Sequence, residues 1–303
     1  RPGMISREIF WLRQFCLPWI ECRSLALPST SVNPLPRTSY PSDLTDEAWA
    51  VLAPLLLHQH DQRGRPIDAD RVREYVDAIL YVLRTGCPWR HLPHDYEVNW
   101  SSAHKRFLRW TRLGLFDVAL HSLRESVRAA KGRGRTPTAA VVDSSSVKAS
   151  PVVGPRGFDG AKKIDGIKRH ILVDSGGLLL SVEVTAADVQ DRAILPGLIK
   201  AAKKHCPDLT KIWADKGYTG PTTRELATTT GIDIDIVSGP KDQTGFKVQP
   251  RRWVVERTHA WINRNRRLVR QWETTLEAHT RFLILSQIAV LLRRLTADIC
   301  DRL

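Results

Sequence analysis

GIKRHILVDSGGLLLSVEVTAADVQDR, residues 166–192, decides how this chain folds. Two aliphatic runs, 168–174 and 178–185, flank Ser175-Gly176-Gly177. Such runs around a tight glycine turn read as a β-hairpin, because glycine tolerates the positive φ that hairpin turns require. Asp191 closes the stretch and can cap a helix running to about residue 204. Before the hairpin, 139–143 reads as a short apolar strand that Asp143 ends. Beyond it come a strand over 211–215, a short helix over 222–230, a strand over 232–237 and a mostly helical tail from 250 to 303. Three antiparallel strands, then strands reached through helices, predict an α/β (α+β) fold: a mixed sheet covered by helices.

Upstream, residues 40–130 read as a small helical domain. Thr45 can cap a first helix whose opening turn holds Asp46 and Glu47, and Leu52, Leu55 and Leu56 share one of its faces. A loop at 64–66 separates it from a second helix carrying Val72, Val76, Ile79, Leu80 and Leu83 at helical spacing. Gly86 and Pro88 end that helix. A third, capped by Ser101 or Ser102, carries Lys105, Arg106, Arg109 and Arg112, and a fourth covers about 117–130. Two helices joined by a turn, the second with a basic face, match a helix-turn-helix-like reading. A plain bundle with a solvated basic face is the alternative. Residues 131–138, KGRGRTPT, form a basic linker into the domain at 139–303. Residues 1–39 mix aromatic residues with several prolines and read as an irregular extension.

The formal net charge is +14 over 303 residues, which favours a polyanionic partner. Between Ser101 and Arg135 nine Lys and Arg face only Asp117 and Glu125. Five scattered cysteines without a CxxC pair argue against a disulfide framework or a structural zinc site and suit a reducing compartment. His91 and His94, in a proline-containing segment, read as loop residues. No stretch has the length and apolarity of a membrane span.

Three carboxylates stand in settings suited to a metal: Asp143, Asp215 and Glu256. Both aspartates end apolar strands, and sites in such sheets gather at strand carboxyl ends. Glu256 lies on a helix one turn after Arg252, among seven arginines between 251 and 270. Two Asp and one Glu brought together can hold a pair of divalent metals that activates a nucleophile and stabilises the leaving oxygen of a phosphodiester. Hard oxygen ligands suit magnesium or manganese. The bland readings are a turn former at Asp143 and a salt-bridge partner at Glu256. Lys168, Arg169 and His170 on the second strand either touch DNA or line a solvated strand. Asp191 reads as a helix cap, and Trp213 and Tyr218 as packing beside Asp215.

Six segments then resemble, in order, those of bacterial insertion-sequence transposases of the DDE class, family five, close to family four. They are YPSDLTDEAWAVLAPLL (40–56), LRTGCPWRHLP (83–93), VVDSSSVKAS (141–150), the opening stretch, ADKGY (214–218) and RRWVVERTHAWINRNRRL (251–268). The resemblance implies a ribonuclease H-like catalytic domain behind a helical DNA-binding region. It implies Asp143, Asp215 and Glu256 as catalytic and metal-binding acids, with Mg2+ as cofactor and Mn2+ as substitute. Arg252 matches the arginine four before the glutamate. Gln249 and Asn263 stand where family four has a tyrosine and a lysine. The expected DNA contacts are Lys105, Arg106, Arg109, Arg112, Lys168, Arg252, Arg257, Arg264 and Arg267. The implied partners are double-stranded DNA, as terminal inverted repeats and target, and further copies of the chain in a homo-oligomer on paired ends. The implied location is the bacterial cytoplasm at the nucleoid.

Overall fold

The glycine turn forms at 175–177, and the sheet is built around it. A computed structural model describes residues 37–57, 68–237 and 252–300. The strands are β1 (Ala139–Lys148), β2 (Gly157–Asp159), β3 (Ile164–Asp174), β4 (Leu179–Ala186), β5 (Lys211–Ala214) and β6 (Asp233–Ile236). β1 is central, antiparallel to β3 on one side and parallel to β5 on the other. β4 extends the sheet beyond β3, and β6 extends it beyond β5. The resulting order β4-β3-β1-β5-β6, antiparallel then parallel, is the ribonuclease H-like order expected. The short β2, not anticipated from sequence, pairs with the first residues of β3.

Strand alternation sorts the side chains onto two faces. Ala140, Val142, Leu172, Ile212 and Ala214 pack with α5 (Asp191–Lys203) and α6 (Pro221–Thr230). Val141, Ile171 and Val173 face the opposite way, into a core shared with the remaining helices. These are α1 (Asp46–Leu57), α2 (Ala69–Thr85), α3 (Trp100–Arg112), α4 (Leu115–Ala130), α7 (Trp253–Asn263) and α8 (Leu276–Cys300). Leu52, Val76, Phe107 and Leu123 therefore sit in one cluster with Val141, Ile171, Phe282 and Leu285. The chain from Arg37 onward is one compact unit. No helix among the described residues is long and apolar enough to cross a membrane.

Several local expectations are corrected. β1 does not stop at Asp143; it runs on through Ser144–Ser146 to Lys148, because β3 pairs along its whole length. α3 is capped by Asn99, whose side chain accepts from the Ser102 amide at 2.8 Å, and not by Ser101 or Ser102. Asp191 starts α5 but makes no capping bond; its carboxylate turns to Ser144 and Lys168 instead. The helical tail is two helices, broken where the Gln271 amide donates to the Lys148 carbonyl at 3.0 Å and ties the segment to the end of β1. Thr45 does cap α1, accepting from the Ala48 amide at 3.2 Å. The loop expected at 64–66, most of the 1–39 extension, Gln249, Pro250 and Arg251 lie outside the described residues.

Candidate active site

Asp143 and Asp215 stand at matching places on neighbouring parallel strands. The last paired residues of β1 and β5 are Val141 and Trp213, and each aspartate lies two residues further on. Alternation puts both on the face covered by α7. Arg252, at the start of α7, joins them: its Nη2 is 3.9 Å from Asp143 Oδ1 and 3.8 Å from Asp215 Oδ2. Gly217 donates its amide to Asp215 Oδ1 at 2.9 Å, which fixes that carboxylate over the turn. Burial pushes the Asp143 carboxyl up to about 6; Arg252 and the Ser144 amide oppose the shift, and neighbouring Asp215 adds to it.

Glu256 is exposed, one helical turn beyond Arg252. Among the described residues no three carboxylates, histidines or cysteines gather closely enough to hold a metal. The structure thus brings two of the three expected acids together, while Glu256 is exposed on α7 one turn beyond Arg252. The donor set fits a divalent cation: two hard carboxylates converge at a half-buried point, where the Arg252 guanidinium now supplies the opposing positive charge.

Two neighbours were not singled out as site residues. His259 lies one turn past Glu256, with Nε2 3.7 Å from Asp143 Oδ2, and burial lowers its pKa to about 3, so the ring is neutral. Its only sequence signal was the three-residue helical spacing from Glu256. Tyr218, expected as packing, is fully buried in the α5 core, and its hydroxyl makes no hydrogen bond among the described residues. Burial and the charges of Asp191, Asp143 and Asp215 raise its pKa.

The expected DNA contacts divide by burial. Lys105, Arg112 and Arg264 are exposed, while Arg106, Arg109, Arg252 and Arg257 are half-buried. Arg106 lies over Tyr75 at 5.0 Å. Lys168 and Arg267 are corrected: both are buried and committed to internal partners. Lys168 Nζ bonds the Val189 carbonyl at 2.8 Å and lies 3.1 Å from Asp191. Arg267 holds Glu273 at 2.5 Å and donates to the Cys87 carbonyl. Arg169 is buried too, donating to Leu268 and to Asn263 Oδ1, and burial lowers its pKa to about 10. His170 is likewise interior, against Asp191 and Thr185. Of the nine basic residues between 101 and 135, Arg124 and Arg128 are buried as well.

Fold and site together define a ribonuclease H-like enzyme with paired carboxylates at its central parallel strands. A family described as "Transposase DDE domain" matches residues 134–292, and one described as "Putative transposase of IS4/5 family" matches residues 44–120. The chain belongs to the DDE transposases of the IS4/5 family. A protein named "Putative transposase for insertion sequence element IS402", from Burkholderia cepacia, is 30% identical over 176 residues, 56% of this chain and 82% of that protein. An "Insertion element IS402 uncharacterized 16.2 kDa protein" from the same organism is 33% identical over 111 residues, 35% of this chain and 73% of its own length. Among solved structures, the Mos1 transposase paired-end complex with left transposon end shares 12% identity at a TM-score of 0.24, covering 58% of this chain and 61% of that one. The catalytic domain of Mos1 mariner transposase shares 10% at 0.27, covering 61% and 92%. The chain spans about three fifths of the paired-end Mos1 chain. Likeness that remote transfers no residue role. Family membership itself implies use of a divalent metal.

Proposed function

We propose that this chain cuts DNA at the ends of an insertion sequence and joins those ends to target DNA. The observation that carries the reading is the pairing of Asp143 with Asp215 at matching positions of adjacent parallel strands, under one arginine. Asp143 and Asp215 would hold magnesium, with manganese as substitute, and Glu256 would complete the set from α7. The metal supplies activation of a water or a 3′-hydroxyl and charge stabilisation at the departing oxygen. Arg252, already between the two aspartates, is placed to hold a non-bridging oxygen of the scissile phosphate. Neutral His259 packs the far side of Asp143 and limits its movement. The half-buried setting strengthens each of these electrostatic contacts relative to open solvent.

The substrate is double-stranded DNA carrying terminal inverted repeats, with Lys105 and Arg112 on the exposed face of α3 and Arg264 beyond α7 as backbone contacts. A homo-oligomer acting on paired ends, in the bacterial cytoplasm, completes the proposal. Residues 40–130 would serve as the DNA-binding part and 139–303 as the catalytic part, joined by 131–138. A strand-transfer assay with labelled terminal repeats and plasmid target tests it. Joined products support transposition. Cleaved ends that never join would show a nuclease on the same fold, and binding without cleavage at any metal concentration would show a DNA-binding protein only.

A further inference from the structure

A second cationic site lies on the neighbouring face of α7. A cavity of about 290 Å³ is lined by Arg128, Lys131, Arg133, Arg257 and Arg294, together with Trp253 and the β3–β4 turn. Asp174 is the one acid in its lining. That carboxylate is already committed: Oδ1 accepts the Gly176 and Leu178 amides at 2.8 and 2.9 Å, and Oδ2 takes Arg128. Lys131, Arg133, Arg257 and Arg294 make no ion pair among the described residues. Arg133 reaches only the Ser175 hydroxyl, at 3.3 Å, and Arg257 only the Gly176 carbonyl, at 3.0 Å, as hydrogen-bond partners.

The packing holds these like charges together. Arg257 and Arg294 each stack on Trp261 with guanidinium carbons 4.6 Å from its ring, and Arg257 also lies 4.4 Å from the Trp253 ring. Two arginines clamped on one tryptophan, beside two further cations and without a free carboxylate, repel one another. Fixing them there is explained by an anion that enters from outside and takes bonds from several at once.

We propose that this cavity seats one backbone phosphate of the DNA whose scissile phosphate lies at Asp143 and Asp215. It would anchor the duplex at a point away from the reacting bond. Arg252 and His259 face the aspartates, and residues 253, 257 and 261 form the adjacent stripe on the same helix. One strand could therefore be held at both places by a single rigid element. The proposal rests on DNA being the substrate, and its test reads binding without cleavage.

Full-length protein would be titrated with a terminal-repeat duplex and with an unrelated duplex, in the absence of divalent metal, over a range of salt. Lys131→Gln with Arg133→Gln, and separately Arg294→Gln, should each lower the slope of log affinity against log salt by about 1. Lys200→Gln on α5, on the opposite face of the sheet, should leave it unchanged. Ethylation of DNA phosphates should show one interfering position for the parent protein that disappears in the variants. Competition by inorganic phosphate at millimolar concentration, without change in the ethylation pattern, would show a free-phosphate site and overturn the proposal. Unchanged slopes and ethylation pattern would overturn it as well, as would absence of binding to any duplex. If the variants lose the contact while the parent binds but never cleaves, the pocket stands and the transposase reading falls.

Discussion

At the residue scale the central fact is a carboxyl held where its charge is costly. Asp143 titrates near 6 instead of 3.8 because it is buried. A carboxyl raised in the folded state favours protonation there, so stability falls as pH rises from about 4 to about 6 and stays lower above that. Asp143→Asn should therefore melt higher than the parent in metal-free buffer at pH 8, by up to about 3 kcal/mol, with the gain gone below pH 4. Equal melting of the two proteins at pH 8 would contradict this. His259→Leu should raise the magnesium concentration needed for half-maximal cleavage by about tenfold, as expected for a group that steadies a metal ligand; an unchanged metal dependence would show that the ring only fills space. Asp143 and Asp215 were legible because apolar strands ran directly into them. His259 was not, since a histidine three residues from an acid on a helix is common. Lys168 and Arg267 misled because a count of charges does not register burial, and each is paired inside the protein.

At the element scale, α7 is held by the β3–β4 hairpin, whose Gly176 and Gly177 carbonyls accept from Arg257 and Thr258. Gly177 has φ +79, and a Cβ there would meet Thr258 Oγ1 at 2.9 Å, the same hydroxyl that donates to the Gly177 carbonyl. Gly177→Ala should destabilise the protein by about 1–3 kcal/mol and depress cleavage by loosening the helix that carries Arg252 and Glu256. A denaturant midpoint indistinguishable from the parent would refute this. Arg267→Gln should cost about 3–5 kcal/mol, because it leaves Glu273 buried without its partner. Its DNA binding, measured below the unfolding transition, should keep the parental salt slope, whereas Lys105→Gln and Arg112→Gln should lower the slope and leave stability alone. The hairpin and the crossover order were readable from aliphatic runs and glycine. The break between α7 and α8 was not, because it depends on Gln271 bonding to the distant strand β1.

At the scale of the whole molecule, the helical layer and the sheet share one core. Leu285 and Ile288 of α8 pack with Leu52, Leu56, Val76 and Ile79 of α1 and α2. A fragment starting at residue 131 would expose that surface and should lose cooperative melting by circular dichroism; a fragment that melts like the parent would show an independent catalytic part. The boundary in composition near 131–138 was plain in the sequence, while the packing across it was not, since helical periodicity shows which face is buried but not what covers it. Function at this scale returns to the three acids. The most direct measurement is magnesium-dependent cleavage of a labelled terminal-repeat duplex by the parent, Asp143→Asn, Asp215→Asn and Glu256→Gln. Each variant should bind the duplex and cleave it slower by on the order of a thousandfold. Retained metal-dependent cleavage in all three would contradict the account, and retained cleavage in Glu256→Gln alone would remove that residue from the site.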